Sequence, residues 1–238
     1  MRECDLKAIR ILILLPAILL FCAILPGTAS AQDGGRCPRF AAGADVASPP
    51  EIASHNGVLR ADFRYYTALD SRNRTLFCFA TPDGVESPTL RVNPGDTIVL
   101  KVTNYLPPTP GEMEMNIRCG DRVMTPSSVN IHFHGTNTSP LCGSDQSIRT
   151  LINSGQTFTY TVHIPKDEPP GLYWYHPHVH GISSPAVQGG ASGLIVVNGI
   201  ENIQPAVAGL PERLLILRDQ PLASPGRKKQ PQPNWDVS

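Results

Sequence analysis

Several things are scarce in this chain, and each shortage closes off a class of explanation. Neither sign of charge is in excess: the 238 residues carry 20 Lys+Arg and 20 Asp+Glu, so no basic footprint for a nucleic acid exists. Helical periodicity is almost absent and no internal repeat is evident, which leaves little room for a helical bundle. The one long apolar run, Ile11 to Leu25, is broken by Pro16 and falls short of the ~20 apolar residues that a spanning helix needs. A His-Glu-x-x-His pair is missing as well, and with it the helical zinc signature of many hydrolases.

That apolar run follows Arg2, Lys7 and Arg10 and precedes Ala29-Ser30-Ala31. A basic start, a short apolar core and small residues at the cut are the marks of an export signal. Residues 1–31 are therefore expected to be removed, with the mature chain starting at Gln32, exported to the periplasm or beyond and keeping no membrane span. The remaining 207 residues hold 17 basic and 18 acidic side chains. Of six cysteines, Cys4 and Cys22 leave with the signal, while Cys37, Cys78, Cys119 and Cys142 stay. Leu20-Phe21 before Cys22 lacks the small residue that lipoprotein processing favours. An even number of cysteines after export points to disulfides. Four allow three connectivities; the simplest joins Cys37 to Cys78 across the first strands and Cys119 to Cys142 across a histidine-bearing strand.

Residues 32–53 are rich in Gly, Ala and Pro and read as an extended leader. Strands are then expected at 58–66 and 74–80, β-branched and aromatic, with a loop from Leu69 to Asn73. From Thr89 to Val102 the pattern suggests a hairpin turning at Pro94-Gly95, which fits the centre of a type II turn; Ile98, Leu100 and Val102 would face inward together. Residues 106–128 look irregular, and Met113, Met115 and Met124 there read as loop or core filling. Thr157 to Ile164 alternates cleanly, with Phe158, Tyr160, Val162 and Ile164 on one face and His163 on the solvated one. Short strands with turn signals between them argue for an all-β Greek-key sandwich or barrel.

Five of the seven histidines fall in two short clusters, Asn130-Ile131-His132-Phe133-His134-Gly135 and Tyr173-Trp174-Tyr175-His176-Pro177-His178-Val179-His180-Gly181. In a strand, residues i and i+2 share a face about 7 Å apart, so each His-x-His offers two imidazoles to one side. Imidazole suits copper, zinc, iron and nickel alike. Ile131 and Phe133 alternate with His132 and His134, so an apolar pair directed at the core leaves the histidines pointing away from it. Such a site needs another surface to complete it.

With Gly193-Leu194-Ile195-Val196-Val197 after them, these clusters resemble the first cupredoxin domain of a multicopper oxidase, the laccase-like family. The resemblance covers roughly residues 55 to 200. It implies a cupredoxin-like fold at 54–200 and, by motif position, a ligand set: His132 for a type 2 copper, with His134, His176 and His178 for the type 3 pair. Asp145, in the loop after Gly135, takes the place of an aspartate that helps move protons near the copper cluster, against a plain reading as a turn residue. His180 lies beyond the usual ligand pair and is expected to support the site or the fold; His55 has no assigned role.

Arg213 to Gln220 resembles the opening strand of the family's second domain, so residues 201–238 are expected to form a linker and the start of that domain. The mature length is too small for two or three complete cupredoxin domains. No cysteine has a histidine beside it, whereas the family's blue-copper site uses His-Cys-His, so the sequence has no counterpart for that site. The resemblance implies an exported oxidase that couples one-electron oxidation of a phenol, an amine or a metal ion to reduction of dioxygen to water. This chain would supply half of its trinuclear copper cluster, as a fragment or a truncated form, completed by a C-terminal cupredoxin domain or a partner subunit. Two other readings stand beside it. One is a non-catalytic exported module that sequesters copper. The other is a zinc hydrolase, disfavoured because Thr136-Asn137 follows His134 where the metallo-β-lactamase pattern needs Asp-His. Arg227-Lys228-Lys229 reads as solvated charge.

Overall fold

The computed structural model describes Cys37, residues 45–70, 73–109, Cys119, 123–219 and 235–237. The expected export signal, Met113, Met115 and the 227–229 basic run lie outside the described residues.

Two sheets carry the fold. The first contains β1 (Glu51–Ala53), β4 (Thr89–Val92), β6 (His132–His134), β8 (Gly171–His176) and β9 (Gly193–Val197), in the order β1-β4-β9-β8-β6. The second contains β2 (Val58–Leu69), β3 (Thr75–Ala80), β5 (Thr97–Asn104) and β7 (Thr157–His163), in the order β3-β2-β5-β7. Their inner faces share one core in which Leu59, Phe63, Leu90, Ile98, Leu100, Phe133, Tyr160, Tyr175 and Ile195 are fully buried. At ~1.5–3 kcal/mol for each large apolar side chain, this core is the main force holding the sandwich shut. β7 alternates exposed and buried along its whole length, as its sequence requires, and His163 lies on the outer face with its Nδ1 2.8 Å from Thr97 Oγ1.

The turn expected at Pro94-Gly95 is present. Gly95 has φ +90° and Asp96 N–H donates to Asn93 O at 3.1 Å. The hairpin is not. β4 pairs in parallel with β1 and β9, whereas β5 pairs with β2 and β7. The turn hands the chain from one sheet to the other, so Leu90 and Val92 enter the shared core from one side and Ile98 and Leu100 from the other. The expected leader also contributes an edge strand: β1, Pro-flanked and three residues long, pairs in register Glu51 to Thr89. Its shortness hid it from any test of periodicity.

Both expected disulfides form. Cys37 and Cys78 are joined inside a small buried cluster with Leu76, and Cys119 is joined to Cys142. After β8 come two short helices, α1 (Ser183–Gln188) and α2 (Ile200–Ile203). The strand expected from Arg213 is confined to β10 (Leu217–Asp219), which pairs with β11 (Trp235–Val237). Ahead of it the Arg213 guanidinium donates to the carbonyl of Val46, and Arg91 bridges Glu51 and Glu212. Residues 211–216 thus attach to the first sheet through side chains and not through a ladder.

Candidate metal centre

β6 and β8 are antiparallel neighbours, and their register sets His132 opposite His176 and His134 opposite Trp174. The pattern of β6 is the one its alternation calls for: Phe133 is buried against Tyr160, with ring centroids 5.8 Å apart, and the two histidines face the other way. The chain turns at once after His134. Gly135 has φ +87°, and a Cβ there would sit 3.2 Å from the Tyr173 ring, so glycine suits the position on both counts. One ligand atom from each of His132, His134 and His176 lies within 4.8 Å of the others. His178 follows Pro177 beyond the end of β8, and its ring centroid is 5.1 Å from that of His132 and 5.9 Å from that of His176. The structure therefore draws all four expected histidines together. His180 is exposed in the turn that follows, and Asp145 is buried.

The hydrogen bonds fix which ring nitrogens face the site. Asp145 holds His132 Nδ1 at 3.0 Å from both carboxylate oxygens and also accepts the Phe133 N–H at 2.9 Å. A carboxylate accepts only, so His132 Nδ1 carries the proton and Nε2 is left as the ligand atom. His176 Nδ1 donates to its neighbour's carbonyl, Pro177 O, at 2.8 Å, which frees its Nε2 in the same way. That Nε2 lies 3.2 Å from His134 Nδ1. Two imidazoles bound to one ion at ~2.0 Å each stand about 3.2 Å apart when the angle between them is about 105°. The separation is that of a hydrogen bond from His134 Nδ1–H to His176 Nε2, and it is also one that two ligands of a single first-row ion can adopt.

Burial against the ring cluster drives the His176 pKa down to about 4, and the nearby His132, His134 and His178 push it the same way. His176 is neutral at pH 7, so a metal there displaces no proton from it. Trp174 stacks on His176 with centroids 4.0 Å apart and touches His134 at 4.9 Å, closing one side of the cluster with an apolar ring.

Three contributors escaped the sequence. Trp174 served only as part of a motif, with no sign that it packs on two ligands. Asn130, fully buried, accepts the His178 N–H at 2.7 Å. Glu168 is buried and accepts the Asn137 N–H at 2.9 Å, pinning the loop that leaves His134. An acid placed just before Pro169-Pro170 was the available signal for Glu168, but its partner lies 31 residues away.

A β-sandwich with an outward-facing group of imidazoles is the cupredoxin type of metal protein, and comparison with known proteins narrows the class. Residues 112–202 match the family model described as multicopper oxidase. Multicopper oxidase MmcO of Mycobacterium tuberculosis is 33% identical over 108 residues, covering 43% of this chain and 17% of that protein. The McoA multicopper oxidase of the hyperthermophile Aquifex aeolicus superposes with a TM-score of 0.52 at 18% identity, over 74% of this chain and 35% of that one. A multicopper oxidase of Campylobacter jejuni, described as a metallo-oxidase, gives a TM-score of 0.48 at 22% identity, over 73% of this chain and 32% of that one. Residues 112–202 are thus similar to a multicopper oxidase domain, and the fold is of the cupredoxin type. It spans about a third or less of the length of these relatives. Among the described residues no helix is long and apolar enough to cross a membrane.

Proposed function

We propose that this chain supplies one half of the dioxygen-reducing copper cluster of an exported multicopper oxidase, with His132 at the type 2 copper and His134, His176 and His178 at the type 3 pair. The carrying observation is the register of β6 on β8, which opposes His132 to His176 on the face turned away from the core. When bound, copper supplies the one-electron redox chemistry by which dioxygen is reduced to water.

The chain's own residues do the rest. His132 and His176 present Nε2 because Asp145 and Pro177 O hold their Nδ1 protons. Trp174 covers two of the rings and keeps water from that side. Asp145 keeps the proton on His132 Nδ1 and, as the family resemblance implies, would also help protons reach the cluster. His134 and His178 remain exposed, so the face is open and needs a second surface, either a further cupredoxin domain or a partner chain. The reducing substrate, a phenol, an amine or a metal ion, would deliver electrons through that second part. Export with cleavage after Ala31 agrees with two disulfides in a chain of this size.

The test is titration of copper(II) into the purified chain, against His132→Ala and His176→Ala. Weak binding without intense blue colour, reduced in both variants, is the expected result. Binding that neither variant changes would overturn the assignment. Retention of zinc with no preference for copper would favour hydrolytic chemistry instead, and tight copper retention with no oxygen uptake after the second surface is added would favour a sequestration module.

A further inference from the structure

Strand pairing explains where three of the four histidines stand, but not the fourth. β8 ends at His176, and Pro177 has no N–H to extend the ladder. His178 therefore lies off the sheet, and its own N–H needs an acceptor. The acceptor is Asn130 Oδ1, at 2.7 Å.

The other end of the same carboxamide reaches the opposite side of the site. Asn130 Nδ2 donates to Ser147 O at 2.6 Å, and Ser147 N–H in turn donates to Asp145 O at 2.9 Å. Asp145 then returns to the strand through His132 Nδ1 and Phe133 N–H. The circuit closes, because Asn130 itself stands two residues before His132. Only one orientation of the amide satisfies both contacts, since exchanging oxygen and nitrogen would set N–H against N–H and carbonyl against carbonyl. Asn130 has no exposed surface, so water does not compete for either bond.

We propose that Asn130 is the positioning residue of this centre, setting His178 and the Asp145 loop in one fixed geometry relative to His132. The proposal rests on the copper reading above and goes beyond it by naming the group that joins the ligand-bearing segments. A shorter side chain cannot span from the His178 amide to the Ser147 carbonyl. Losing it would free the backbone of one ligand and the loop that orients another, while the β6–β8 ladder would stay intact.

A matched control exists in the same fold. Asn104 is also fully buried and ties loops together, donating to Ser127 O at 2.6 Å and Ile152 O at 2.8 Å and accepting Leu106 N–H at 2.9 Å, but none of its partners carries a ligand. Copper(II) affinity of the full chain is measured against a competing chelator for wild type, Asn130→Ala, Asn104→Ala, His178→Ala and the Asn130→Ala/His178→Ala pair, with urea unfolding of each. Loss of a group that orients a ligand typically costs ~10–100-fold in metal affinity, the loss expected for Asn130→Ala. Asn104→Ala should lose stability with little change in affinity, and Asn130→Ala should cost much less once His178 is gone. Amide exchange in the copper-free wild type adds a reading that needs no variant: the His178 N–H should be protected.

Equal losses from Asn104→Ala and Asn130→Ala, an undiminished loss in the His178→Ala background, or a His178 amide that exchanges like an exposed one would each overturn the proposal. Failure of the copper reading looks different. In that case His132→Ala and His178→Ala themselves leave affinity unchanged, while the His178 amide is still protected.

Discussion

Replacing Asp145 by Asn removes a charge and almost no volume, so it tests the ring-orientation argument with little disturbance of packing. In the native chain both carboxylate oxygens sit 3.0 Å from His132 Nδ1, and Oδ1 also accepts Phe133 N–H. The carboxamide can keep Oδ1 for Phe133, which places an NH2 donor where the second oxygen was. That donor competes with Oδ1 for His132 Nδ1 and favours the tautomer protonated on Nε2, which weakens Nε2 as a ligand. Stability should fall by only ~0.5–1.5 kcal/mol, the net value of one hydrogen bond. Copper affinity should fall ~10–100-fold, the usual cost of losing the partner that orients a ligand. Asp145→Ala gives the opposite balance in stability: the buried Phe133 N–H loses its partner, which costs about 1–3 kcal/mol on top of the lost bonds. Urea unfolding and chelator-competed copper titration on the same three samples separate the two effects. Wild-type affinity in Asp145→Asn would refute the tautomer argument, as would a loss of affinity that merely tracks the loss of stability.

Cys119→Ser opens a loop spanning a sequence separation of 23, so unfolding should become easier by about 2–4 kcal/mol; an unchanged urea midpoint in a chain shown to be oxidised beforehand would contradict this. Gly193→Ala places a Cβ 2.3 Å from the Tyr175 ring, which is fully buried and bonded to Pro88 O, so overpacking should cost about 1–3 kcal/mol or prevent folding, read as a drop in melting temperature. The pH dependence has a definite sign. With the folded pKa of His176 near 4 and the ordinary value at 6.5, the unfolded chain binds more protons below pH 6.5. The copper-free fold should thus hold its full stability above that pH and lose about 1–3 kcal/mol on the way down to pH 4. His176→Gln should flatten that part of the urea-midpoint profile, and a profile unchanged by the substitution would contradict the assignment.

Much of the site was legible because strands report their faces directly. The alternation of Ile131 and Phe133 with His132 and His134 told which side chains enter the core, whereas the strand spacing expected of His176 and His178 does not hold, because β8 ends at His176. The alternation in β7 did the same for His163. These are local facts, set by a two-residue period that needs no knowledge of partners. Turn chemistry was legible on the same terms: Pro94-Gly95 turns as its dihedral preferences require.

What the chain does after that turn was not local. The sequence reads the same whether β4 and β5 pair with each other or enter opposite sheets, and only the closing of the two sheets over one core settles it. The same holds at the centre. Residue types and spacing determined that His132, His134 and His176 would be presented on two neighbouring strands. Tertiary structure alone decided that His132 faces His176, that Asp145 is buried with its carboxylate on His132, that Trp174 reaches His134 as well as His176, and that Asn130 holds His178. Apart from Trp174 on His176, its neighbour along β8, these contacts join residues 12 to 48 apart, and a contact over such a distance is fixed by the register of the sheet and the closing of the core, which no single segment encodes.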